Sequence, residues 1–265
     1  MQIQMVTFSV AKGGHAPGEW QDGASGGVVG DGTGMARFIV VDGATGAYDP
    51  LRWVDQLVTS FAPPDGPRLR PAAMRAWFAA MQDQWAASVP AFDSIIEERK
   101  FREVGSFATL LAFELTELGG PEPCWRAVAL GDTVLFHVRA GRLIATFPPL
   151  GPGDFGTSPD GVHTLRTSLD RMTERLLTGT GVLAAGDFLF AATDAMAHWI
   201  LRAIGRDEKK VWATLGNLVH PDVFARFVED QRREQDGAAR MKNDDVTLMR
   251  LRMLADQPSF LLACR

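Results

Sequence analysis

Residues 107–147 read FATLLAFELTELGGPEPCWRAVALGDTVLFHVRAGRLIATF, and this stretch decides the fold class. FATLLAFEL is an apolar run of strand length, and CWRAVALGD and TVLFHVRAGRLIATF add further strands around tight turns at Gly131-Asp132 and Ala140-Gly141. No helical spacing separates them. The pattern predicts a meander of antiparallel strands and not the βαβα alternation of a parallel doubly wound sheet.

Working outward, the N-terminal residues Ile3 to Val10 alternate polar and apolar side chains as a strand does, and MARFIVV at 35–41 is a continuous apolar run of the kind that fills a buried strand. Between them AKGGHAPGEWQDGASGG, residues 11–27, is rich in glycine and turn formers and predicts a loop. DPLRWVDQLVTSF at 49–61 takes helical spacing from an Asp49-Pro50 start. In AAMRAWFAAMQDQWAASV, residues 72–89, Met74, Trp77, Met81 and Trp85 fall on one helix face suited to core packing. Downstream, PPLGPGDFGTSPDGVH at 148–163 predicts a surface flap. GDFLFAATDA predicts a buried strand, AMAHWILRAIG, VWATLGNLV and VFARFVEDQRREQ predict helices, and DDVTLMRLRML predicts a last strand. Strands, two helices, more strands, more helices and a closing strand make an α+β chain of antiparallel sheets flanked by helices, expected as one domain over 1–265.

The hydrophobic share of 46% and charged share of 22% belong to a globular protein. A net charge of -5 disfavours nucleic acid and acidic membrane surfaces as partners and suits a cationic ligand. Cys124 and Cys264 lie far apart, so neither a disulfide framework nor a thiolate metal site is indicated. The N-terminus lacks a basic segment followed by an apolar one, and the apolar stretch around Gly186 is broken by Asp187 and Asp194. The expectation is a cytoplasmic protein without an export signal or a transmembrane helix.

Three apolar strands end at an aspartate: FIVVDG at Asp42, AVALGD at Asp132 and FLFAATDA at Asp194. Asp244 and Asp245 open the last strand. Carboxylates held on strand ends of packed sheets are able to converge on one rim, where like charges repel unless a cation lies among them. Oxygen-only ligation suits magnesium, manganese or calcium. Each aspartate taken alone is more often a turn former or a cap than a ligand.

The order and local context of these aspartates resemble the motifs of the PPM-type (type 2C) serine/threonine protein phosphatases, in a bacterial-like form. EWQDGA around Asp22 is similar to that family's "Glu-Asp-Ala", VVDGATG to "Asp-Gly-x-Gly-Gly", and VGSFATLLAFEL to the strand carrying "Gly-Ser/Thr-Thr-Ala". ALGDTVLFHVRAGRL resembles "Gly-Asp-Ser-Arg" with its hairpin, GDFLFAATDAM resembles "Gly-Asp-x-Leu-Leu-x-x-Ser-Asp-Gly", and NDDVTLMRLR resembles "Asp-Asn-x-Thr". The resemblance implies a four-layer α-β-β-α sandwich and direct hydrolysis of phosphoserine or phosphothreonine by water activated between two Mn²⁺ or Mg²⁺ ions. It implies that Asp42 bridges both ions, that Gly43 gives a backbone carbonyl, and that Asp194 and Asp244 hold the first ion. Asp22 would serve the second, and Asp132 a third, weaker one. The implied partners are a phosphorylated protein substrate and an opposing kinase.

Four residues depart from that pattern. The family's phosphate-binding arginine has no counterpart in HAPGEW, leaving Lys12 as the nearest basic group to meet a phosphate. Gln21 stands where glutamate is usual, Thr45 replaces a glycine, and Ala195 replaces the glycine after Asp194. His15 is the one histidine placed to act as a general acid, Trp20 lies beside Asp22, and Ser106 lacks the elbow of a serine nucleophile. Two readings follow: a working phosphatase, or a pseudophosphatase that binds a phosphoprotein or other partner without turnover.

Overall fold

The computed structural model describes residues 1–16, 19–29, 34–62, 66–156, 159–235 and 238–255. Cys264 lies outside them, and Cys124 carries a free thiol. The strands are β1 (Gln2–Val10), β2 (Asp22–Val28), β3 (Ala36–Gly43), β4 (Phe107–Thr116), β5 (Cys124–Leu130), β6 (Val134–Arg139) and β7 (Arg142–Phe147). They continue as the short β8 (Val162–His163), β9 (Leu177–Val182), β10 (Phe188–Ala192), the two-residue pair β11 (Glu234–Gln235) and β12 (Ala238–Ala239), and β13 (Val246–Leu254). The helices are α1 (Pro50–Phe61), α2 (Pro71–Ala87), α3 (Ile95–Arg99) continuing into a π-turn at Lys100–Val104, α4 (Leu169–Arg175), α5 (Asp194–Gly216) and α6 (Pro221–Arg232).

Two antiparallel sheets carry the fold, one in the order β1-β13-β10-β6-β7 and the other in the order β2-β3-β4-β5-β9 with β8 beside β4. The alternation of side chains along each strand assigns its two faces to different layers. On β4, Leu111, Phe113 and Leu115 enter the core between the sheets, while Leu110 and Ala112 pack under α1 and α2 with Trp53, Trp77 and Trp85. On β10, Leu189 and Ala191 face the other sheet, and Phe190 and Ala192 pack under α5 and α6. Three apolar cores therefore separate four layers in the order helix, sheet, sheet, helix. Strands buried on both faces read as unbroken apolar runs, which is why FATLLAFEL and FIVV lack alternation.

The structure corrects the meander. β5 pairs with β4 and β9, whereas β6 pairs with β10 and β7, so Gly131–Thr133 is a crossing from one sheet to the other. Of the two tight turns expected, Ala140-Gly141 closes a hairpin, with both residues at positive φ, 51° and 72°, and Gly131-Asp132 does not. Gly131 sits at φ 109°, and a Cβ there would lie 2.5 Å from the Asp160 carbonyl oxygen and 2.6 Å from Thr109. Gly131→Ala is expected to cost about 3 kcal/mol, read as a lower urea midpoint at unchanged m-value.

The loop expected over 11–27 is likewise only partly a loop, since Asp22–Val28 forms strand β2 along β3. The two helices expected after Asp194 form one element broken at Asp207, where φ is -155° and ψ is 86°. Its C-terminal end is closed by buried Arg250 of β13, which donates to the carbonyls of Leu215, Gly216 and Leu218 at 2.6–3.0 Å.

Candidate metal centre

Antiparallel pairing brings one set of strand ends to the same edge. In the first sheet the end of β10, the start of β6 and the start of β13 are adjacent, as Ala192 pairs with both Val134 and Leu248. In the second sheet the start of β2 and the end of β3 meet the start of β4, because Asp22 pairs with Asp42 and Asp42 with Thr109. The Gly131–Thr133 crossing joins the two edges. Asp42, Gly43, Asp132, Asp194 and Asp244 consequently line one cleft of about 750 Å³, together with Lys12, Thr109, His163, Arg171 and Lys242.

Asp22 lies beneath them, 1% exposed, and fastens the sheets to each other. Its Oδ2 accepts from Thr247 Oγ1 at 2.8 Å and from Thr193 Oγ1 at 3.1 Å, both on the opposite sheet's edge. Its Oδ1 is buried with no donor, and so is Asp132 Oδ1. Two enclosed carboxylate oxygens without donors are costly and fit a cation as the missing partner. Asp22 and Asp42 also stand directly opposite on paired strands, an arrangement that repels when both are ionised.

The protonation equilibria express this crowding. Burial pushes Asp22 up to about 8, aided by the charges of Asp245 and Asp194 and opposed by the Thr247 and Thr193 hydroxyls. Burial, then the charges of Asp22, Asp194, Asp132 and Asp244, holds Asp42 well above the usual carboxylate range. Asp132 rises to about 6 through burial and the charge of Asp194. Six acids thus feel one another, as oxygen ligands of a hard cation would.

Asp194 is the first residue of α5, where the helix N-terminus favours its charge, and its Oδ1 accepts from the Ala195 amide. Ala195 is helical there and adopts no positive φ, so the family's glycine is not required. Gly43 is required by space, since a Cβ would stand 2.6 Å from the Gln21 carbonyl oxygen. Asp245 accepts the backbone amides of Lys12 and Gln21 at 2.7 and 2.8 Å. It thereby ties the segment before β2 to the start of β13. Lys12 Nζ faces Asp244 Oδ1 at 3.8 Å. His15 lies in an exposed turn and is not among the residues lining the cleft, and Ser106 is fully buried.

Sequence reasoning missed Lys242. Its ammonium bridges Asp194 Oδ2 at 3.0 Å and Asp244 Oδ2 at 2.6 Å. Burial works against that charge, and the contacts with Asp244 and Asp194 outweigh it and hold the group above the usual lysine range. Among the described residues, no three His, Cys, Asp or Glu side chains are already drawn together to hold a metal ion. A basic residue two places before an acidic pair was the available signal. Arg232 was missed as well: it reaches from α6 to the carbonyls of Ala11 and Asp244.

No family model matches the chain. No curated protein matches it either. Solved structures do. The S. agalactiae serine/threonine phosphatase superposes with a TM-score of 0.57 at 13% identity, covering 95% of this chain and 100% of its own. The photosystem II phosphatase PBCP gives 0.56 at 15% identity, covering 95% and 99%. The catalytic domain of the serine/threonine protein phosphatase PstP, solved with two manganese ions, gives 0.55 at 14% identity, covering 96% and 99%. At such identities the likeness is one of fold, and the chain has the PPM-type phosphatase fold.

Proposed function

We propose that this chain, acting as one unit over 1–265, is a metal-dependent phosphatase that removes phosphate from phosphoserine or phosphothreonine in proteins. The observation that carries the reading is the meeting of Asp42, Asp132, Asp194 and Asp244 in one cleft above the enclosed, donorless oxygen of Asp22. Support comes also from the fold, whose solved examples include a phosphatase holding two manganese ions. Asp42, Asp194 and Asp244 would hold one divalent ion, Asp42 with Asp22 a second, and the Gly43 carbonyl would serve one of the two. Asp132 would serve a third. Bound there, Mn²⁺ or Mg²⁺ supplies water of lowered pKa and positive charge against the phosphoryl oxygens.

The chain's own residues do the remaining work. Thr193 and Thr247 fix the Asp22 carboxylate by donating to one of its oxygens, leaving the other to face a cation. Asp245 fixes the backbone that carries Lys12, whose ammonium is a point charge at the cleft for an incoming phosphate. Arg171 and His163 line the far side, next to the flap residue Asp160, which Arg171 contacts at 2.9 Å. The substrate would be a phosphorylated protein, the product of an opposing kinase, and we place the protein in the cytoplasm on the sequence reading alone. No helix among the described residues is long and apolar enough to cross a membrane.

Phosphate release from p-nitrophenyl phosphate or a phosphoserine peptide is expected to require Mn²⁺ or Mg²⁺. It should fall to background on chelation with EDTA and return when the metal is restored. Turnover indifferent to EDTA would sink the reading. The bridging of Asp194 and Asp244 by Lys242 favours a second reading, a pseudophosphatase. Phosphopeptide binding with no release at any manganese concentration would establish that one instead.

A further inference from the structure

The acids of the cleft fall into two sets. Asp22 and Asp132 each keep a buried oxygen with no donor. Asp194 and Asp244, by contrast, already share a cation, since Lys242 Nζ lies within hydrogen-bond distance of an oxygen on each. These carboxylates come from separate elements, the first turn of α5 and the segment before β13, so the ammonium spans the place where the two meet. A divalent ion would need the same oxygens at about 2.0–2.2 Å. A doubly charged ion and an ammonium so close together repel strongly, so they compete for the pair. The lysine is tethered two residues from Asp244, which keeps its local concentration high. Its side chain is also 55% exposed, which leaves it a route out to solvent when displaced.

We infer that Lys242 is a built-in stand-in for one of the two cations, so that the chain binds a single divalent ion tightly and takes a second only by displacing the ammonium. This rests on the metal-centre reading above and specifies how that centre fills. Where the carboxylate pair is free only a tenth of the time, the apparent affinity of its site falls about tenfold.

Manganese binding to the whole chain is the test, with free Mn²⁺ followed by electron paramagnetic resonance and no substrate present. The parent should hold one tight ion per chain and a second at least about tenfold weaker. Lys242→Met and Lys242→Gln should each hold two tight ions. Their metal-free forms should melt below the parent, and Mn²⁺ should raise their melting temperature by more than it raises the parent's. Two tight ions in the parent would overturn the inference while leaving the metal centre standing, a result that needs no variant to fold. One tight ion in the parent and in a folded Lys242 variant would also overturn it. No bound ion in the parent, or ions retained unchanged in Asp42→Ala, would remove the metal centre itself and the inference with it.

Discussion

Asp42→Ala is expected to abolish metal-dependent phosphate release, lowering kcat by about 10³-fold or more, while the metal-free protein folds at least as stably as the parent. The activity loss follows from the assigned role: a ligand shared by two ions supports several kcal/mol of charge stabilisation, and each 1.4 kcal/mol is about a factor of ten in rate. The retained stability follows from the structure. Asp42 stands opposite Asp22 on the neighbouring strand and within the field of Asp194, Asp132 and Asp244. Its removal relieves repulsion at no cost to either sheet's hydrogen bonding. Steady-state kinetics and thermal melting on one preparation check both halves, and an Asp42→Ala variant with parental turnover would reject the centre.

The second large effect is on stability against pH. Asp22 has its folded-state pKa raised from an ordinary 3.8 to about 8, and Asp132 to about 6. A raised carboxyl binds its proton more tightly when folded. Its contribution is therefore fully present below the unfolded value near 4 and is lost as pH rises through the folded value. The metal-free protein should accordingly lose stability between about pH 4 and pH 8, each pH unit between a group's two values being worth about 1.4 kcal/mol. Added Mn²⁺ should flatten the curve, because an ion that binds only the folded state stabilises it by about 2.7 kcal/mol at a hundred times its dissociation constant. Asp22→Asn retains an oxygen for Thr193 and Thr247 and removes the charge. It should raise the metal-free melting temperature at pH 8 by about 5–10 °C and weaken manganese binding. Denaturation scans from pH 4 to 9 with and without Mn²⁺ measure all of this, and a metal-free curve rising with pH would contradict it.

Strands buried on both faces were legible because their apolar runs have no other use. So were the aspartates, since a carboxylate closing such a run stands out. What stayed hidden depends on packing between distant segments. β2 reads as loop because of its glycines, and β9 gives no strand signal of its own, yet the glycines in both make room for rings. A Cβ at Gly26 would stand 2.2 Å from the Phe38 ring, one at Gly179 2.5 Å from Phe147, and one at Gly181 2.5 Å from Trp125. The crossing at Gly131 looked like a hairpin because a tight turn has the same composition whether it returns to its own sheet or enters the next. Lys242, Thr193 and Thr247 acquire meaning only where one sheet's edge touches the other's.

Asp245 gives the cleft a schedule as well as a shape. It joins the backbone at Lys12 and Gln21 to the start of β13, and β1 itself pairs along the whole of β13. A chain emerging from the ribosome folds from its N-terminus as length permits. Until residues 244–254 have been released, β1 has no neighbour in its sheet and neither Asp244 nor Asp245 is present. A nascent or truncated chain that stops short of them lacks both carboxylates and is expected to leave the cleft incomplete, which closes only with the finished sheet.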